Sequence, residues 1–261
     1  MLIPSRNNPP PTLLIVNADD LGASVPVNEA IFDLLEAERL TSATILANGP
    51  AFTHACKYLP LFPRCSFGIH LNLTEFSPLT SDTNLRVILN THGRFAGEST
   101  LRKARITRSL AHAIYAEFSA QIDRLQSAGI QISHIDSHQH IHTMPQLFPV
   151  LKSLQRRYRL RKVRISRNIY LDDLRPSRLI LLQKYAFNFT LRHLYRSWTT
   201  EGFTDFTTFW QYMKNGGLPQ TSVEVMVHPG AVASQPETVL LRSSWKDDFA
   251  SALTLISYND L

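Results

Sequence analysis

The sequence predicts a parallel α/β barrel, and three observations carry that expectation. Short apolar runs alternate with stretches whose apolar residues recur at helical spacing, which implies parallel strands with helices outside. At 261 residues the chain suits one large α/β domain, and its 44% of apolar residues are enough for a full core. Residues able to do chemistry gather where the apolar runs end, and in a parallel barrel those ends meet at one mouth.

Each element has its own signal. Residues 1–11, MLIPSRNNPPP, read as a flexible proline-rich tail ahead of a domain spanning 12–261. TLLIVNA (12–18) is a first strand, ending at Asp19-Asp20-Leu21-Gly22. Ser24 caps a helix with Pro26 in its first turn, and Val27, Ala30, Ile31, Leu34 and Leu35 share one helical face. SATILAN (42–48) is the second strand; Pro50 opens a helix to about Tyr58, closed by Pro60 and Pro63. SFGIHLNLT (66–74) is the third strand, and 75–100 is a long loop of the kind that often forms lids or binding surfaces. Leu110, Ile114, Phe118, Ile122 and Leu125 mark a helix ending near Gly129. QISHID is the fourth strand, followed by a helix marked by Leu147, Val150, Leu151 and Leu154. KVRIS (162–166) is a fifth strand, 176–198 is helical, and 206–213 is a short helix ended by Gly216-Gly217. VEVMVHP (223–229) is the sixth strand, and 244–257 reads as a final helix. No internal repeat or domain linker is evident.

Composition excludes several classes. No run of ~18 apolar residues is present, so no membrane span is expected. The N-terminus lacks the apolar stretch of a signal peptide. Cys56 and Cys65 have no metal-type spacing and fit a reducing compartment, so a cytoplasmic location is expected. The formal charge of +6 is uneven, with thirteen Lys/Arg from 152 to 196 against Asp172 and Asp173. No nucleic-acid motif accompanies this block. The basic, aromatic stretch 176–198 is a candidate for peripheral contact with the inner face of a membrane; a packed outer helix or a homodimer contact are the plainer readings.

The densest chemical signal is HIDSHQHIH (134–142), with His134, Asp136, His138, His140 and His142 on every second position. In an extended strand all five would face one way. Imidazoles and a carboxylate at this density suggest a borderline divalent metal such as zinc. Asp19 and Asp20 end the first strand, His70 lies in the third, Arg164 in the fifth, and His228 ends the sixth. Taken singly, the Asp pair could be a helix cap, His70 a core histidine, and His228-Pro229-Gly230 a turn; their convergence is the argument. Asp19 and Asp20 can share a site only if the chain turns there, which Leu21-Gly22 allows. Asp136 is a candidate to orient an imidazole, or to cap the loop. His140 and His142 are candidates for substrate contact or alternative ligation, whereas His134 reads as structural. Arg164 is a candidate for substrate contact, with a surface arginine as the alternative.

NADDLG (17–22), FGIHLNLT (67–74), HIDSHQHIH and VMVHPG (225–230) together resemble the signature segments of the YdjC-like family, the ChbG/HpnK-type carbohydrate deacetylases. The resemblance runs from residue 17 to 230, and Leu21 stands where Phe is usual. It implies a deformed (β/α) TIM-like barrel related to polysaccharide deacetylases, and one divalent ion, magnesium or zinc. It also implies removal of an N-acetyl group from an amino sugar in an oligosaccharide or glycolipid. On this resemblance Asp20, His70 and His138 match the metal ligands, Asp19 the general base and His228 the acid. Two other classes are possible for such a site. A metallophosphoesterase or amidohydrolase typically carries HxH on the first strand, where this chain has Asp-Asp. A non-catalytic sugar-binding barrel sits poorly with so complete a set of reactive side chains.

Overall fold

The computed structural model describes residues 11–249 and 253–261. The expected tail falls almost wholly outside the described residues, as do residues 250–252 of the expected last helix.

In a parallel sheet covered on both faces, strands read as continuous apolar runs. β1 (Thr12–Leu21) does so, with Leu14, Ile15, Val16 and Ala18 fully buried. It pairs in parallel with β2 (Ser42–Ile45) and β6 (Ser222–Val227), and at its start with β7 (Leu253–Leu255). β2 pairs with β3 (Ser66–Leu71), β3 with β4 (Ile135–Ser137), and β5 (Gly202–Asp205) with β6, giving the order β4-β3-β2-β1-β6-β5 with β7 beside β1.

The gap between β4 and β5 is bridged by 162–169. Ile135 N donates to Lys162 O at 2.9 Å, Arg164 N donates to Ile135 O at 3.0 Å, and Asn168 N donates to Phe203 O at 3.3 Å. The expected fifth strand is therefore two isolated bridges, Ile135–Val163 and Lys162–Trp198, within a nearly closed barrel.

Helices cover the outside. α1 (Val25–Glu36) starts at Ser24, whose side chain accepts from Val27 N. α2 (Phe52–Tyr58) and α3 (Glu98–Lys103) are short. α4 (Arg108–Ser127) buries the expected stripe of Leu110, Ile114, Phe118, Ile122 and Leu125, and Gly129 follows it at φ 78° as a left-handed terminator. α5 (Phe148–Tyr158), α6 (Arg178–Phe189), α7 (Phe206–Lys214) and α8 (Gln235–Arg242) follow. β5, α8 and α3, which begins inside the expected 75–100 loop, were not foreseen. Nor was β7, which replaces the helix expected over 244–257: its Leu, Thr and Leu find a partner in β1, over 230 residues earlier.

The last residues form the barrel floor. The Tyr258 ring is buried and stacks on His134 with centroids 3.5 Å apart and planes 8° apart. Its backbone N donates to Ser66 Oγ at 3.0 Å. Gly68 is required beneath His134, because a Cβ there would lie 2.4 Å from the imidazole. Among the described residues no helix is long and apolar enough to cross a membrane.

Candidate metal centre and active site

The two aspartates of β1 reach the mouth by a local distortion. The pairing of β1 with β2 shifts register between Ala18 and Leu21, and Asp20 adopts φ 68°. Such a bulge suspends the strict alternation of faces, so neighbouring side chains serve one site. The expected turn at Leu21-Gly22 follows directly: Ala23 N donates to Asp20 O at 2.9 Å, and Gly22 takes φ 100°. Asp tolerates left-handed backbone better than most residues.

Register supplies the next pair. β3 and β4 place His70 beside Asp136, and His70 Nδ1 lies 2.7 Å from Asp136 Oδ1. Thr44 Oγ1 donates to the other Asp136 oxygen at 3.0 Å. His70 Nε2 lies 3.2 Å from Asp20 Oδ1 and has no hydrogen-bond partner although buried. His138, the first residue past β4, brings Nδ1 to 2.8 Å from Asp20 Oδ1 and Nε2 to 3.3 Å from Glu75 Oε1.

The alternation expected through 142 ends at Ser137. Gln139 and His140 both take left-handed backbone, at φ 51° and 54°, and the chain coils instead of extending. His142 turns back to hold this coil. Its backbone N donates to Ser137 Oγ at 2.9 Å, and its Nε2 lies 3.1 Å from Arg164 O. Burial pushes the His142 imidazole down to about 4, so it is the neutral ring that bonds there.

Arg164 is fully buried and surrounded by carboxylates. It grips both Asp19 oxygens at 2.7 Å each, reaches Asp136 Oδ2 at 2.8 Å, and donates through Nε to Glu224 Oε1 at 2.8 Å. Glu224 in turn accepts from the Tyr258 hydroxyl. Burial alone would raise the Asp19 carboxyl; the charge and fork of Arg164 outweigh it and hold Asp19 below its ordinary value. For Glu224 burial prevails over Arg164, and its carboxyl is raised. Burial would lower His70, but Asp136 and Asp20 overcome it and lift the imidazole to about 10. His138 is lifted to about 9 against burial by Asp20 and Glu75.

Among the described residues two sets of atoms are close enough to share an ion: Asp20, His70 and His138, or Asp19, His70 and Asp136. The second would use oxygens already within 2.8 Å of a guanidinium, whose charge opposes a cation. The first leaves the unpartnered His70 Nε2 pointing at Asp20, with Nδ1 bonded to a carboxylate, the arrangement that steadies metal-ligating histidines. Two imidazoles and one carboxylate fit a divalent ion, and this set is the candidate centre.

The structure thus gathers Asp19, Asp20, His70, Asp136 and His138, with His228 Nε2 at 3.9 Å from Asp19 Oδ2. Two expectations are corrected. Arg164 and His142 were candidates for substrate contact, but both are buried and their polar atoms are engaged inside the barrel. Asp136 is buried as well, with Oδ1 on His70 and Oδ2 on Thr44 and Arg164, so it offers substrate no contact. His140 is partly exposed and packs edge-on against Phe203 at 5.6 Å. Glu224, Glu75, Asn17 and Thr44 were not singled out. The signal for Glu224 was visible, since an acid interrupts the apolar run VEVMV. Asn17, whose amide donates to Asp19 Oδ1 at 2.9 Å, carried no such mark.

Comparison with known proteins adds to this geometry. The family model for YdjC-like protein matches residues 13–254. A carbohydrate deacetylase from Halalkalibacterium halodurans is 38% identical over 147 residues, covering 56% of this chain and 61% of the relative. One from Geobacillus stearothermophilus is 40% identical over 163 residues, 60% of this chain and 62% of the relative. The matches thus span about three-fifths of each relative's length. The crystal structure of a candidate cellobiose-phosphate cleavage protein from Enterococcus faecalis V583 superposes with a TM-score of 0.76 at 23% identity, over 96% of this chain and 98% of that one. That likeness bears on the fold.

Proposed function

The chain belongs to the YdjC-like family, and from that membership we propose that it is a metal-dependent hydrolase removing an N-acetyl group from an amino sugar. The observation that carries the proposal is Asp19, ionised and clamped, beside the Asp20–His70–His138 cluster at the barrel mouth. The relatives named carbohydrate deacetylases support the same reading.

In this reading Asp20, His70 and His138 hold one divalent ion, zinc or magnesium. When bound, such an ion lowers the pKa of water from 15.7 toward about 7 and polarises a carbonyl. The remaining work falls to side chains. Asp136 fixes the orientation of His70 through Nδ1. Arg164 aims the Asp19 carboxylate with its two-pronged grip, and Asp19 takes a proton from the attacking water. His228, one-third exposed with Nε2 3.9 Å from Asp19 Oδ2, gives a proton to the departing amine, which otherwise leaves poorly. The substrate is a soluble N-acetylated oligosaccharide or a glycolipid. A cytoplasmic site of action is supported by two free cysteines, Cys56 and Cys65.

Acetate release from N-acetylated sugars, before and after chelation, tests this reading. Chelation should abolish release and added zinc or magnesium should restore it. Release that survives exhaustive chelation would refute the metal mechanism, and no release from any acetylated sugar or glycolipid would refute the substrate class.

A further inference from the structure

Eight of the fifteen exposed large apolar side chains among the described residues lie between Leu174 and Trp198. Most belong to α6 and the turn after it. One face of α6 is accounted for. Phe187 and Asn188 are buried, Phe187 lies 4.8 Å from the Phe148 ring, and Asn188 exchanges two hydrogen bonds with the backbone of Ser166 at 2.8 and 3.0 Å. The opposite face is also apolar. Leu179, Leu182, Tyr185 and Phe189 recur at spacings of three and four and are 66%, 63%, 67% and 47% exposed. A helix needs an apolar stripe only where it meets something less polar than water, so this second stripe is unexplained by the barrel.

Charge narrows the occupant. Between Leu174 and Trp198 stand Arg175, Arg178, Lys184, Arg192 and Arg196, with no acid. A second copy packed about a two-fold axis would set this face against itself and bring like charges together. A nucleic acid would take the arginines but leave the leucine stripe in water. An anionic bilayer surface takes both: leucine and phenylalanine enter the boundary of the acyl chains, tyrosine and tryptophan sit at headgroup level, and arginines meet lipid phosphates. We propose that the outward face of α6 docks the protein on an anionic lipid surface. The helix is rooted beside the site, since Ser166 lies two residues past Arg164.

Vesicle co-sedimentation tests this without any measure of turnover, so its outcome is independent of the deacetylase reading. The chain should pellet with vesicles of phosphatidylglycerol and phosphatidylcholine at least ~10-fold better than with phosphatidylcholine alone, and salt should weaken the pelleting. The pair Leu182→Asp and Phe189→Asp should cut the bound fraction ~10-fold or more. Arg178→Glu with Arg196→Glu should do the same and serves as the readout if the first pair fails to fold, as judged by circular dichroism. Wild-type protein that does not pellet, or pellets equally in all variants, overturns the proposal. So does a dimer in sedimentation velocity that Leu182→Asp dissolves while vesicles have no effect, which would assign the stripe to a second copy. Binding to duplex DNA without binding to vesicles would likewise overturn it.

Discussion

Asp19 is the residue on which geometry and chemistry meet most directly. Its two oxygens are held in a planar fork, and a guanidinium is the side chain able to supply that fork in a dry interior. The cost is a less basic carboxylate; the gain is one that is ionised and aimed. Asp19→Asn keeps the size of the side chain and loses the proton acceptor. Turnover should fall by roughly 10²–10⁴-fold while metal content, measured by elemental analysis, stays near wild type. A variant that keeps full rate would remove Asp19 from the chemistry. Asp19, Asp20, His70 and His138 were legible in the sequence because they fall in or at the ends of successive apolar runs, which a parallel barrel brings to one mouth. The task of Arg164 was not. Its partners come from β1, β4 and β6, and nothing local in VRIS says that three carboxylates will converge on it.

Among the elements, the apolar strands and the α4 stripe were legible because periodicity is a local signal. The failures share one cause. β7 and the bridges of 162–169 exist through partners distant in sequence, so the same residues read equally well as helix or strand until those partners are known. The approach to β4 shows how one such partnership constrains another. His134 fills the space over Gly68 and stacks on Tyr258, and burial pushes its imidazole from 6.5 down to about 3. The neutral ring is the folded form. Above pH ~6.5 folded and unfolded chains are both neutral here, and this residue adds no pH dependence. As pH falls toward about 3, the unfolded chain takes up the proton first and folding is disfavoured by up to ~1.4 kcal/mol per unit. His134→Phe keeps a ring against Tyr258 and cannot titrate. Urea unfolding between neutral pH and pH ~4.5 should show a flatter decline for the variant; parallel curves would contradict the assignment.

Across the whole molecule, a column of hydrogen bonds runs from floor to mouth. The Tyr258 hydroxyl donates to Glu224, Glu224 accepts from Arg164, and Arg164 grips Asp19. Four segments from both ends and the middle of the chain meet in this column. Tyr258→Phe keeps the ring stacked on His134 but leaves Glu224 a donor short. It should lower unfolding free energy by about 1–3 kcal/mol. Turnover should fall several-fold with metal content unchanged, because the fork on Asp19 loosens. A loss of stability with no change in rate would confine Tyr258 to the floor.

The column and its neighbours hold Asp19, Asp136 and Glu224 around a single guanidinium, while Asp20 faces His70 and His138. These four carboxylates outnumber the one guanidinium, and the excess is offset by protons on His70 and His138 or by a divalent cation, so uptake of the cation should release protons from the two imidazoles.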